Sequence, residues 1–172
     1  NTEQAFNEHM QMMRDGMGTA IDQIMTAGLD HLIMGIALET FWGGVEGNAS
    51  FEERIHARSG LQVSTGASAC RDALLAYGVR RIAVFSPYQP IADREVSRFF
   101  TEAGFEVAAV TGLRCASATA IAEVGPGEIA AAIRSIDGPD VEAVVQVGTN
   151  LSFVAQADGL EGWLGKPVIA IN

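Results

Sequence analysis

Two kinds of segment alternate along this chain. Short, nearly all-apolar runs are separated by stretches whose apolar residues recur at helical spacing. Arg81 to Ser86, Phe105 to Val110, Val141 to Val147 and Pro167 to Ile171 read as strands, and Ile91 to Ala103, Glu128 to Ile136 and Ser152 to Leu164 read as helices between them. A strand such as Ala143-Val-Val-Gln-Val147, apolar on both faces instead of every second residue, is covered on both sides. Strands of this kind, each followed by a helix, assemble into a mainly parallel sheet flanked by helices. The expected fold class is therefore α/β.

The first half is less regular. Residues 3–26 carry Phe6, Met10, Met13, Met17, Ile21 and Ile24 at helical spacing, with Asn1 or Thr2 as cap and Gly28 as the stop. Met10, Met12, Met13 and Met17 read as a core stripe, with a soft binding surface as the alternative. His31 to Ala37 reads as a buried strand, 38–50 as a loop with a short turn of helix, and Phe51 to Ser59 as a charged helix. Leu61 to Ser64 reads as a strand and Gly66 to Tyr77 as a helix closed by Gly78. The 172 residues divide most naturally into 1–78, the remainder of a first α/β lobe, and 79–172, a second lobe, or they form one compact unit. The chain starts without Met and stops directly after a strand-like run, so it reads as the middle portion of a longer protein.

Charge narrows the partners. Eleven Lys and Arg against 21 Asp and Glu leave a net charge of −10, unsuited to a phosphate backbone, so nucleic acid is not expected. No apolar run has the roughly 18 residues of a membrane helix. Two cysteines, Cys70 and Cys115, have neither metal-ligand spacing nor a disulfide framework, and the expected compartment is the cytosol. His9, His31 and His56 are scattered, and no metal site is expected from them. Gly125-Pro-Gly127 follows no strand and is not a dinucleotide fingerprint.

Chemistry is expected beyond the carboxyl ends of the strands. Three such ends carry small or polar residues: Ala37-Leu-Glu-Thr-Phe-Trp-Gly-Gly44, Ser86-Pro-Tyr-Gln-Pro90 and Gly148-Thr-Asn-Leu-Ser152. Hydroxyls, an amide and free backbone N–H groups suit a carboxylate. Each loop alone is compatible with ordinary turns and caps. Three on one edge point to a site.

These loops, in this order, resemble the aspartate/glutamate racemase superfamily, in the branch holding arylmalonate decarboxylase and maleate cis-trans isomerase. Arg58 to Val84 is similar to the family's second strand–helix–strand unit. Ser86-Pro-Tyr88 resembles its tyrosine-bearing loop, and Gly148-Thr-Asn-Leu151 with Leu164-Gly-Lys-Pro-Val168 its second catalytic loop and following strand. The resemblance implies a two-lobed fold and an isomerase or lyase. Such an enzyme works without cofactor or metal, by proton transfer next to the carboxylate of a small mono- or dicarboxylic acid. It is compatible with a homodimer and gives no role to nucleic acid or membrane. It also implies two cysteine positions, here filled by Ile36 and Gly148. The carboxylate cradle would map to Ala37, Leu38, Tyr88 and Thr149, with Thr40 and Asn150 as further polar contacts and Glu39 as the titratable group able to act as base. Trp42 and Phe41 form either an apolar wall or core. The alternatives are a cysteine-less relative that binds a carboxylate without turnover, or one that activates water.

Overall fold

The structure, a computed structural model, describes residues 3–172, with the side chains of residue 8 and of residue 10 onward. The expected caps Asn1 and Thr2 and the side chains of Phe6 and His9 lie outside the described residues. The order is α1 (Glu3–Ile24), a 3-10 turn (Met25–Ala27), β1 (Leu32–Met34), α2 (Ala37–Phe41), α3 (Gly44–Ser59), β2 (Val63–Thr65) and α4 (Gly66–Tyr77). It continues with β3 (Arg81–Ser86), α5 (Pro90–Glu102), β4 (Glu106–Gly112), α6 (Ala118–Ala122), α7 (Pro126–Ile136), β5 (Ala143–Gln146), α8 (Val154–Leu164) and β6 (Val168–Ala170).

Every strand pairing is parallel. β1 and β2 form a two-stranded sheet, and the other four strands form a sheet in the order β4-β3-β5-β6. The chain leaves β3 toward β4 on one side and later returns to pair β5 on the other. The crevice outside the carboxyl ends of β3 and β5 is thus a topological switch point.

Alternation along β3 supplies both faces. Ile82 and Val84 pack with Leu74 of α4, Phe41 of α2, and Val96, Phe99 and Phe100 of α5. Ala83 and Phe85 pack with Ile129 and Ile133 of α7 and with Leu151 and Phe153. Phe41 meets Phe99 edge-on at 5.2 Å between centroids, so the structure places Phe41 in the core. Each such fully buried side chain stabilises by roughly 1.5–3 kcal/mol.

The first half departs from expectation. The strand over 31–37 shrinks to Leu32–Met34, and Ile33 is 83% exposed, because β1 pairs only with β2 among the described residues. The expected loop over 38–50 is helical in α2 and α3. The buried face of α3 is Gly44, Asn48, Phe51 and Ile55, which is helical spacing, but its first turns carry glycine and asparagine where an apolar pattern looks for large side chains. Asn48 belongs there because its amide donates to Glu52 at 3.0 Å and its oxygen accepts from Thr65 Oγ1 at 2.9 Å. The short α6 was not expected; it buries no residue and starts at a Ser117 cap. In the Met stripe of α1, Met10 is buried while Met12 is 64% exposed.

Candidate active site

Three loops leave the carboxyl ends of β1, β3 and β5. The first is Gly35–Ile36, leading into α2. The second is Pro87–Gln89, leading into α5. The third runs from Val147 to Phe153, leading into α8. Thr149 Oγ1 donates to Gly35 O at 3.1 Å, which ties the third loop to the first across the gap between the two sheets. Gly148 joins the third loop to the second. A Cβ built on it would lie 2.7 Å from Pro87 Cγ and Cδ and 3.6 Å from Tyr88 Oη, and its φ is +117°. A Cβ at Gly35 would meet nothing within 4 Å. Gly35, Tyr88, Gly148 and Thr149 therefore converge at the switch point.

Tyr88 is held from behind. Its N–H donates to Ser86 Oγ at 3.1 Å, and its carbonyl accepts from Arg114 Nη1 at 2.8 Å. Ser86 Oγ donates to Asp93 Oδ1, and Arg114 pairs with Asp93 Oδ2. The Tyr88 hydroxyl makes no hydrogen bond among the described residues. Burial, reinforced by the Asp93 carboxylate, raises its pKa well above the ordinary phenol range. It is a protonated donor at neutral pH.

The third loop is held by Gln146, a fully buried strand residue. Its Nε2 donates to Gly148 O at 2.9 Å, and its Oε1 accepts from Ile171 N at 3.3 Å. Asn172 Nδ2 donates to Leu151 O at 2.6 Å and Thr149 O at 3.2 Å. Sequence reading makes Ser86 the first residue of the second loop but gives it no role, and it misses Gln146, Asp93 and Arg114. Only Gln146 left a signal, as the one polar residue in an otherwise apolar strand.

Of the other expected site residues, Glu39 and Thr40 lie away from this point. Glu39 is 4% exposed, and its carboxylate accepts from Arg14 Nε at 2.6 Å and Nη2 at 3.1 Å. It lines a separate cavity with Trp42, Phe51 and Arg54. Thr40 is fully buried and donates to Ala37 O at 2.6 Å within its own helix. Ala37 is in the core, while Ile36, in the first loop, and Leu38, in the first turn of α2, are half-buried. Asn150, in the third loop, donates from its Nδ2 to Ala118 O at 2.5 Å. Among the described residues, no group of three or more His, Cys, Asp or Glu could hold a metal. No helix among the described residues is long and apolar enough to cross a membrane. Cys70 is buried in the core, which pushes its thiol up to about 12. Cys115 lies beside the second loop, its N–H donating to Pro87 O at 3.0 Å, and burial raises its thiol as well. His56 is bonded to Leu61 O at 2.8 Å, which closes the turn after α3.

A family model described as arylmalonate decarboxylase matches residues 4–172. No curated protein sequence matches the chain. Among solved structures, the maleate cis-trans isomerase of Nocardia farcinica, with a covalently bound succinylcysteine intermediate, superimposes with a TM-score of 0.90 at 20% identity, covering 95% of this chain and 69% of its own. The maleate isomerase Iso of Pseudomonas putida S16 gives 0.86 at 22% identity, covering 92% and 66%. An arylmalonate decarboxylase gives 0.79 at 20% identity, covering 91% and 69%. At these identities the likeness establishes the α/β fold, and the expected fold class holds.

Proposed function

Because the chain belongs to the arylmalonate decarboxylase family, we propose that it is a lyase or isomerase that makes and quenches negative charge on the carbon next to a carboxylate of a small acid. The observation that carries this reading is the unpartnered Tyr88 hydroxyl, held at the point where Gly148 and the Thr149–Gly35 bridge bring the three loops together. Charge on such a carbon spreads onto the carboxylate oxygens as an enediolate. A preorganised donor in a partly dry site stabilises that charge far better than water does. Tyr88 is such a donor because it keeps its proton.

The two branches of the family make different demands. Isomerisation and racemisation need a base or nucleophile, and the two expected thiol positions hold Ile36 and Gly148. Glu39 is paired with Arg14 and faces another cavity. Decarboxylation needs no base: the carbon–carbon bond breaks, carbon dioxide leaves, and the electron pair stays on the α-carbon. That carbon then takes one proton from a hydroxyl or from water. Among the two, decarboxylation of a malonate-type diacid fits this site better. The reading is of a cytosolic protein with a small carboxylic acid as its partner.

The test is incubation of the protein in D2O with maleate, aspartate, glutamate, phenylmalonate and methylmalonate, followed by proton NMR. Loss of a malonate with deuterium at the product α-carbon supports the reading. Thermal stabilisation by an acid that is never consumed would replace it with binding alone.

A further inference from the structure

The residues behind Tyr88 form a clamp that the proposed chemistry does not itself require. Beyond the last paired residues of β3 and β4, Ser86 and Gly112, the two segments stay zipped together. Leu113 N donates to Ser86 O at 2.9 Å, Cys115 N to Pro87 O at 3.0 Å, and Gln89 Nε2 to Cys115 O at 3.1 Å. In the middle of this zip stands Arg114, the one non-glycine residue among those described with positive φ, at +59°. A non-glycine residue adopts that conformation at a cost, and persists there only where its surroundings hold it.

The strained backbone turns the guanidinium back over the loop. Arg114 Nη1 meets both Tyr88 O and the buried Asp93 carboxylate, whose other oxygen accepts from Ser86. Ser86 in turn accepts from Tyr88 N. Both backbone polar groups of Tyr88 thus belong to one charge-assisted ring. The ring exists only because residue 112 has no side chain. A Cβ there would lie 2.5 Å from Asp93 Oδ2 and 2.8 Å from Tyr88 O, and would collide with Arg114 Nη1.

We infer that Arg114 is a positioning residue, whose guanidinium, lodged in the space left by Gly112, fixes the Tyr88 backbone so that its hydroxyl faces Gly148. The inference rests on the reading that Tyr88 serves the site. Arg114 touches no reacting atom; it acts through Tyr88.

The chain has two tyrosines, Tyr77 and Tyr88, and Tyr77 is 56% exposed. Fluorine NMR of 3-fluorotyrosine-labelled protein therefore follows both, with Tyr77→Phe assigning the lines. In the wild type, Tyr88 gives a line distinct from Tyr77 and poorly broadened by a soluble paramagnet. In Arg114→Asn, chosen because asparagine tolerates the left-handed backbone, that line moves toward the exposed position and broadens. Arg114→Lys restores it, since an ammonium still reaches the Tyr88 carbonyl. Gly112→Ala displaces the guanidinium without removing it and reproduces the Asn result, so it carries the test should Arg114→Asn not fold. On phenylmalonate, Arg114→Asn lowers kcat by about 10- to 100-fold, the effect of small misplacement of a catalytic group. A Tyr88 line unchanged in Arg114→Asn and Gly112→Ala overturns the inference, whatever the protein turns over. Lines that respond as described in a protein that consumes no acid leave the clamp standing and remove only the functional reading.

Discussion

Replacing Gly148 with alanine tests the geometry on which the site depends. The residue sits at φ +117°, which L side chains rarely adopt, and the added methyl would stand 2.7 Å from Pro87 Cγ and Cδ. A strained backbone of this kind costs about 1–3 kcal/mol. Forcing a methyl against a buried proline ring adds about 1–3 kcal/mol, because the ring has no free torsion by which to yield. The expected loss is about 2–6 kcal/mol, which a domain with roughly 5–15 kcal/mol of stability survives. It is read as a fall in the urea midpoint at unchanged m-value. Because Pro87 precedes Tyr88, any turnover falls as well. A Gly148→Ala protein within about 0.5 kcal/mol of the wild type, the ordinary scatter of surface substitutions, would refute the left-handed turn against Pro87.

Other consequences follow from the same contacts. Arg14→Met leaves Glu39 buried without its partner and is expected to cost about 3 kcal/mol; adding Glu39→Leu should recover most of it, as urea melts of the single and double variants will show. In alkaline titration followed by phenolate absorbance, Tyr88 keeps its proton well above the ordinary phenol range. The Tyr88 pKa is raised in the folded state, so its contribution to stability is complete below pH about 10 and is lost as pH rises, a slope that Tyr88→Phe removes. Both thiols are raised, so neither is a ready thiolate at pH 8. An aromatic disulfide reagent should titrate Cys115 slowly and Cys70 only after unfolding, and fast reaction of both in the native protein would contradict the burial of Cys70.

Legibility of this chain in its sequence followed packing. β3 and α4 have the bounds that their residues suggested, since β3 is buried on both faces and α4 runs from a Thr65 cap to Gly78. β1 was overextended because it is paired on one edge and leaves Ile33 in solvent. The first turns of α3 were hidden because a glycine and a hydrogen-bonded asparagine fill its buried stripe there, while its second half, Phe51 to Ser59, reads as a helix. At the site, Tyr88, Gly148 and Thr149 were readable from their place after strands. Glu39 was assigned by proximity in sequence, and its partner Arg14 lies 25 residues away on another helix. The ring of Ser86, Tyr88, Asp93 and Arg114 joins residues from separate elements with no common period, and only the fold brings them together.

On the proposed reading, Tyr88 donates to charge developing beside a carboxylate. That donation is tested most directly by following phenylmalonate in D2O with the wild type and with Tyr88→Phe, both shown to be folded. The substitution removes an unpartnered hydroxyl, so stability should stay within about 0.5 kcal/mol. The wild type should yield phenylacetate carrying α-deuterium, and Tyr88→Phe should be slower by about 10²–10³, the loss seen when one such donor is removed. Equal rates from the two proteins would contradict that reading.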